Sequence, residues 1–107
     1  MKLSNNNNIY LEDFRVKDSK VFIGRDRGED VRIKSKIDDI EKSYSEINII
    51  IPDNIYSISS SFFEELLRNV VIKLGKDLFF EKFKFVSLGE YNYTKSLNEA
   101  ILLILRK

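Results

Sequence analysis

Three consecutive serines, Ser59-Ser60-Ser61, stand directly ahead of the most strongly patterned apolar segment of this sequence. Ser61 and Glu64 have capping-box spacing, so the Ser61 hydroxyl can accept from first-turn N–H groups while the Glu64 carboxylate reaches back. Ser60 then lies beside the positive end of a helix, where a phosphate meets free N–H donors and a favourable dipole. The alternative for Ser59 and Ser60 is plain turn chemistry. A second group is Arg25, Arg27 and Gly28. The two arginines flank a helix start and could hold a phosphate or a partner carboxylate with the first-turn amides. The competing reading pairs them with Asp26, Glu29 and Asp30 on a solvated surface, with Gly28 letting the helix pack on a strand. Glu64, Glu65 and Glu90 are the remaining candidates, as carboxylates of a small enzyme. Adjacent acids on a helix point about 100° apart, which suits Glu64 and Glu65 poorly as an acid/base pair.

The absences narrow the chemistry further. The chain has no His and no Cys. It therefore lacks the usual neutral-pH base, the thiolate nucleophile and the ligands of most zinc sites. No spaced Asp/Asn loop closed by Glu offers a calcium site. Catalytic residues, a metal and a cofactor are accordingly not expected. The formal net charge is +1, from 18 basic and 17 acidic side chains, so no global field draws nucleic acid or an anionic membrane. Phe79, Phe80, Tyr91 and Tyr93 lie in or near expected loops without interleaved arginines, which reads as edge packing and not a base-stacking platform.

These residues need elements to hold them. With 107 residues, 43% hydrophobic and 33% charged, the composition fits one globular domain. Residues 1–8 read as a flexible N-terminus and 9–107 as the domain. Ile9 to Leu11 and Arg15 to Ile23 read as short strands; either Asp13 forms the turn between them or Asp18-Ser19-Lys20 divides the second run. After Gly24, Asp26 and Glu29 make a possible capping box. Ile33, Ile37, Ile40 and Tyr44 then recur at helical spacing. Ile47 to Ile51 is the best strand, β-branched and nearly continuous, as in a central strand covered on both faces. Phe62, Phe63, Leu66, Leu67, Val70, Val71 and Leu74 make the strongest amphipathic helix, stopped at Gly75. Lys76 to Lys82 adds either a short helical turn or a loop, and Phe83 to Val86 is a strand. A last helix from Thr94 carries Leu97, Ile101 and Leu105 on one face, widened by Leu102, Leu103 and Ile104. The order β-β-α-β-α-β-α predicts an α/β fold, a mixed sheet flanked by helices. The N-terminus lacks an apolar signal region, and the run Ala100 to Leu105 is too short to span a bilayer. A cytoplasmic protein is expected. The abundance of Ile, Asn and Lys suits an AT-rich bacterial or phage genome.

A strand of the type Ile-Asn-Ile-Ile-Ile, a short loop, a serine pair and an amphipathic helix resembles the layout of STAS domains, the anti-sigma-factor antagonists and their relatives. The closer resemblance is to the bacterial STAS-like family of unknown function. It rests on Gly24 to Arg32, Ile47 to Ile51 and Ile58 to Leu66, with a Ser-Phe-x-x-Glu-Leu core and an upstream Arg-x-x-Gly. It covers roughly residues 20 to 107. Where the antagonists read Asp-Ser-Ser-Gly-Leu, this chain reads Ser59-Ser60-Ser61-Phe62-Phe63. The resemblance implies a regulatory or adaptor protein without enzymatic activity. It implies a protein partner, a GHKL-type ATPase or an anti-sigma-like switch protein, bound through the helix starting near Ser61. It also implies that Ser60, or less readily Ser61, is the phosphorylated residue. The alternative function is a nucleotide- or anion-binding domain using Arg25, Arg27 and the helix starts.

Overall fold

The computed structural model describes residues 7–106. The elements run β1 (Asn8–Tyr10), a 3-10 turn (Leu11–Phe14), β2 (Val21–Phe22), α1 (Arg25–Ser35), α2 (Ile37–Ser43), β3 (Ile47–Ile51), β4 (Ser57–Ile58), α3 (Ser60–Lys82), β5 (Phe83–Ser87) and α4 (Thr94–Leu105). The fold is α/β. Strands β1, β3 and β5 form one sheet in that order, with β3 central, and β2 and β4 form a separate pair. Every pairing is parallel, so the expected mixed sheet is instead two small parallel ones. Among the described residues no helix is long and apolar enough to cross a membrane.

The order departs from β-β-α-β-α-β-α in two places. The helix expected across Ile33 to Tyr44 is broken at Lys36, which adopts left-handed backbone angles (φ 59, ψ 36). That residue resets the helical phase. Ile33 is consequently 64% exposed while Ile37 is fully buried, and Gly28 and Val31 form the inner face of α1. The second departure is β4, a two-residue strand that continues from Asn54 (φ 63) and pairs with β2. Asp18 is also left-handed (φ 65), so the turn that divides the Arg15 to Ile23 run lies there. Of the expected flexible terminus, residues 1–6 lie outside the described residues. Asn8 is already in β1, where its Oδ1 accepts from Asn48 Nδ2 at 2.9 Å.

Helix α3 occupies the centre, flanked by α1 and α4. Phe62, Phe63, Leu66, Leu67, Val70 and Val71 are all buried beneath it, with Ile9, Ile47, Ile49 and Ile51 of the sheet in the same core. Phe62 packs its ring 5.2 Å from that of Phe22. The sheet positions alternate: Ile47, Ile49 and Ile51 are buried, whereas Asn48 and Ile50 are only half-buried. The central strand is thus covered on one face, not both.

Gly75 (φ 80, ψ 168) interrupts α3. The chain resumes helix at once, so Lys76 to Lys82 takes the helical one of its two expected forms. The bend brings Phe79 into the core, stacked on Phe83 at 4.9 Å. A buried carboxylate, Glu41 of α2, holds the two halves of α3 together. It accepts from Lys73 Nζ at 2.7 Å and from Lys82 Nζ at 2.8 Å, one on each side of the break. Burial by itself would raise the Glu41 pKa, but hydrogen bonds and charge from Lys73 and Lys82 outweigh it and hold it below its ordinary 4.5.

Gly28 decides how closely α1 approaches α3. A Cβ there would sit 2.4 Å from the Phe62 carbonyl oxygen and 2.9 Å from Glu65 Cβ. The close approach is between two helices, and not between helix and strand. The neighbour is backbone and cannot swing aside, so Gly28→Ala is expected to cost at least about 1–3 kcal/mol in a urea melt, the range of overpacking. A second expectation concerns Glu41. Its folded pKa is depressed, so its contribution is present above 4.5 and is lost as pH falls through the lower folded value. Glu41→Gln should flatten the decline of stability as pH falls from 4.5 through the lower folded value, measured by denaturant midpoints across the acid range.

Candidate functional site

The serines, the arginine segment and the acids meet where the β2–β4 pair delivers the chain into α1 and α3. Ser59 is the N-cap of α3, with extended backbone angles (φ −74, ψ 154). Its Oγ accepts from Phe62 N at 3.1 Å, the capping bond. The same oxygen accepts from Gly24 N, also at 3.1 Å. Gly24 precedes α1 and has φ 101, which a side chain would strain. One hydroxyl therefore joins the starts of two helices. Its two lone pairs are taken by these N–H groups, so its single proton is directed to Ser61 Oγ, 3.0 Å away.

This arrangement moves the cap from Ser61 to Ser59. Glu64 does not reach back to the backbone; it is turned to arginines. Ser60 and Ser61 form the first turn of α3 and are half-exposed. Because Ser61 accepts from Ser59, its own hydroxyl proton remains available. Ser60 makes no side-chain hydrogen bond among the described residues. Outward from them, Ile23 is 55% exposed just after β2. Strand alternation puts it on the same face as Val21 and Ser57.

The arginines separate. Arg25 extends along α3 and donates to Glu64 at 2.7 Å, with Glu65 at 3.6 Å. Arg27 turns the other way, donating to the Phe14 carbonyl and to Asp30. Burial would raise the Asp30 pKa, but Lys34 and Arg27 hold it below the usual range. Gly28 contributes no ligand surface; it is the helix contact described above.

Two arginines that the motif reading missed complete the cluster. Arg68 donates to Glu64 and to Glu65, each at 2.9 Å. Arg32 donates to the Glu65 carbonyl and lies 3.4 Å from its carboxylate. The i,i+3 and i,i+4 spacing of Arg68 was a readable signal. Arg32 had none, since it comes from another helix. Burial acts to raise the Glu65 pKa, yet Arg68 and Arg32 hold it low. Arg68 is raised, chiefly by its hydrogen bond to Glu65 and against the effect of burial. Glu64 and Glu65 are thus charge-paired on one surface, an arrangement that keeps Glu65 ionised and ill-suited to donate a proton. Glu90 lies apart, with Asp53, Tyr56 and Tyr91 around an open depression.

Tyr91 adds a strut beside the serines. Its hydroxyl accepts from Ile58 N at 3.1 Å and donates to Ile58 O at 3.2 Å. It thereby ties the loop after β5 to the strand that leads into Ser59.

Ser59→Ala removes an acceptor from two backbone N–H groups. The expected cost is about 1–2 kcal/mol, at the upper end for a cap. Ser61→Ala should cost less than about 0.5 kcal/mol, as for a surface change. Thermal melts of the two variants would show this order; equal losses would return the capping role to Ser61.

Comparison of the chain with protein-family models, with curated proteins and with solved structures gave no significant match.

Proposed function

We propose that the chain is a bacterial, cytoplasmic, STAS-like regulatory or adaptor protein without enzymatic activity, which binds a protein partner through the start of α3. The partner class is that of STAS systems, a GHKL-type ATPase or an anti-sigma-like switch protein. The observation that carries the reading is the division of labour among the serines. Ser59 does the capping, which leaves Ser60 and Ser61 half-exposed in the first turn of α3 with no structural duty comparable to it. Flanking Gly24, whose amide is bonded to Ser59, are the exposed Ile23 and Arg25. An apolar residue, two hydroxyls and a charge on one surface suit a protein contact better than a nucleic-acid groove. The resemblance to the STAS layout supplies the partner class, and that inference is by analogy of fold.

The physics of the site is compatible with a phosphate switch at Ser60. A phosphate adds nearly two negative charges at a helix N-terminus, which stabilises anions, so the fold tolerates it. A partner surface formed against a neutral Ser60 does not tolerate it, because an unpaired charge must be desolvated. The nucleotide or anion reading is weaker on the geometry. Arg25 and Arg27 are both committed to carboxylates or carbonyls and point to different neighbours. An anion would first have to displace Glu64 or Asp30.

The test compares wild type, Ser60→Ala and Ser60→Asp against the partner captured from the native host. Ser60→Asp is expected to weaken binding by about tenfold or more, roughly 1.4 kcal/mol, with an unchanged melting temperature. Ser60→Ala should bind like wild type. Equal binding by all three would remove Ser60 from the contact. Intact-mass analysis after incubation with partner and ATP checks for the phosphate itself.

A further inference from the structure

The sheet of β1, β3 and β5 has helices on one face only. Ile9, Ile47, Ile49, Ile51 and Phe83 point into the core. On the other face the register aligns two rows across the strands. Tyr10, Ile50 and Val86 form one, and Asn8, Asn48 and Lys84 form the next towards the strand starts. Tyr10 is 41% exposed, Val86 42% and Leu88, just beyond β5, 63%. Past the apolar row, at the strand ends, Glu12, Asp13 and Asp53 join Tyr10, Ile50 and Leu88 around a depression of about 420 Å3. Parallel sheets are almost always covered on both faces, because their backbone and apolar side chains need shielding from water. Here the second face carries an apolar band and no cover among the described residues.

We propose that this face binds a second copy of the same chain, sheet to sheet, in a two-fold dimer. The charges select the occupant. Lys84 lies at the strand-start end and has no carboxylate within 4 Å among the described residues. Asp13 and Asp53, at the opposite end, likewise have no cation partner there, and Glu12 pairs only with Arg15. A two-fold axis lying in the plane between two such faces, and running across the strands, turns one end of the sheet onto the other. Lys84 of each copy then approaches the acidic end of its mate, twice over. Tyr10, Ile50 and Val86 fill the middle. A contact of this kind is self-complementary, as two-fold symmetry demands. Stacked sheets sit about 10 Å apart, aligned or crossed near a right angle, and a crossed pair brings Lys84 nearest to Glu12 and Asp13. None of these residues belongs to the Ser60 surface, so the dimer stands or falls independently of the partner reading.

Sedimentation velocity of the full chain over a concentration series tests it, at low and high salt. Wild type should dimerise, and salt should weaken the dimer because exposed charges are screened. Val86→Lys should be monomeric wherever wild type is dimeric, with an unchanged circular-dichroism spectrum. Lys84→Glu is the second variant, exposed enough to leave folding alone. It should be monomeric, as should the double variant Asp13→Lys, Asp53→Lys. Mixing these two charge-reversed proteins should restore a dimer of one copy of each. A wild type that stays monomeric at every concentration overturns the proposal. So does a dimer that survives both Val86→Lys and Lys84→Glu, which would place the contact elsewhere. Failure of the mixture to associate overturns the charge pairing that selects the second copy.

Discussion

The contact of α1 with α3 at Gly28 is the constraint on which the rest of this structure depends. Without a side chain at that position the two helices meet backbone to backbone, at a distance that any Cβ would violate. That approach sets where the neighbouring groups fall. It brings Arg25 and Arg32 of α1 within reach of Glu64 and Glu65 of α3, and it sets the Gly24 amide on the Ser59 hydroxyl. A wider separation would leave two arginines and two partly buried acids without each other, at the desolvation cost of unpaired charge. The charged cluster is therefore a consequence of the packing more than its cause. Exposed pairs of this kind contribute little singly, but Glu64 is almost buried and needs its arginines.

A second, independent device secures the other half of the molecule. Gly75 lets α3 bend so that Phe79 reaches the core, and Glu41 spans the bend through Lys73 and Lys82. Glu41 lies 32 and 41 residues from the two lysines, and each group is ordinary alone. Together they fix the angle of the bend, since a buried carboxylate accepts both ammonium groups only in a narrow range of geometries. Helix α3 is in this way clamped at its start by Ser59 and Gly28 and at its break by Glu41. The half-exposed first turn with Ser60 and Ser61 therefore sits on a rigid base.

Two surfaces among the described residues stand apart from the core. One is the first turn of α3 with Ile23; the other is the open face of the parallel sheet. They differ in character. The first is small, mixed and hydroxyl-rich, which suits a contact that a single charge can reverse. The second is broader and apolar in the middle with opposite charges at its ends, which suits a lasting contact with a like surface. Both follow from a chain that puts its helices on one side of a three-stranded sheet and leaves the strand pair β2–β4 at the edge of the helical layer.

The repeating patterns were legible from the amino acids alone. Ile47 to Ile51 is a strand because β-branched residues suit a pleated surface, and Phe62 to Leu74 is a helix because its apolar positions recur every three to four residues. Gly75 as a break, and the α/β class itself, follow from the same local rules. Single-residue conformations were not legible. Lys36 turns left-handed without being glycine, and that one pair of dihedral angles reversed the burial of Ile33. The capping serine lies two residues before the one that the spacing to Glu64 points to, since Ser59, Ser60 and Ser61 are chemically identical. Ser59 caps through Phe62 N, and the Gly24 amide, brought across from 35 residues away, takes the second lone pair of the same hydroxyl. The partners of Arg25, Arg32 and Glu41 were decided the same way, by groups distant in sequence that the core brings together. Local periodicity is written in the order of residues, because neighbours along the chain share a face. Which hydroxyl or carboxylate is satisfied, and by what, depends on distances across the fold, and those exist only once the helices have packed.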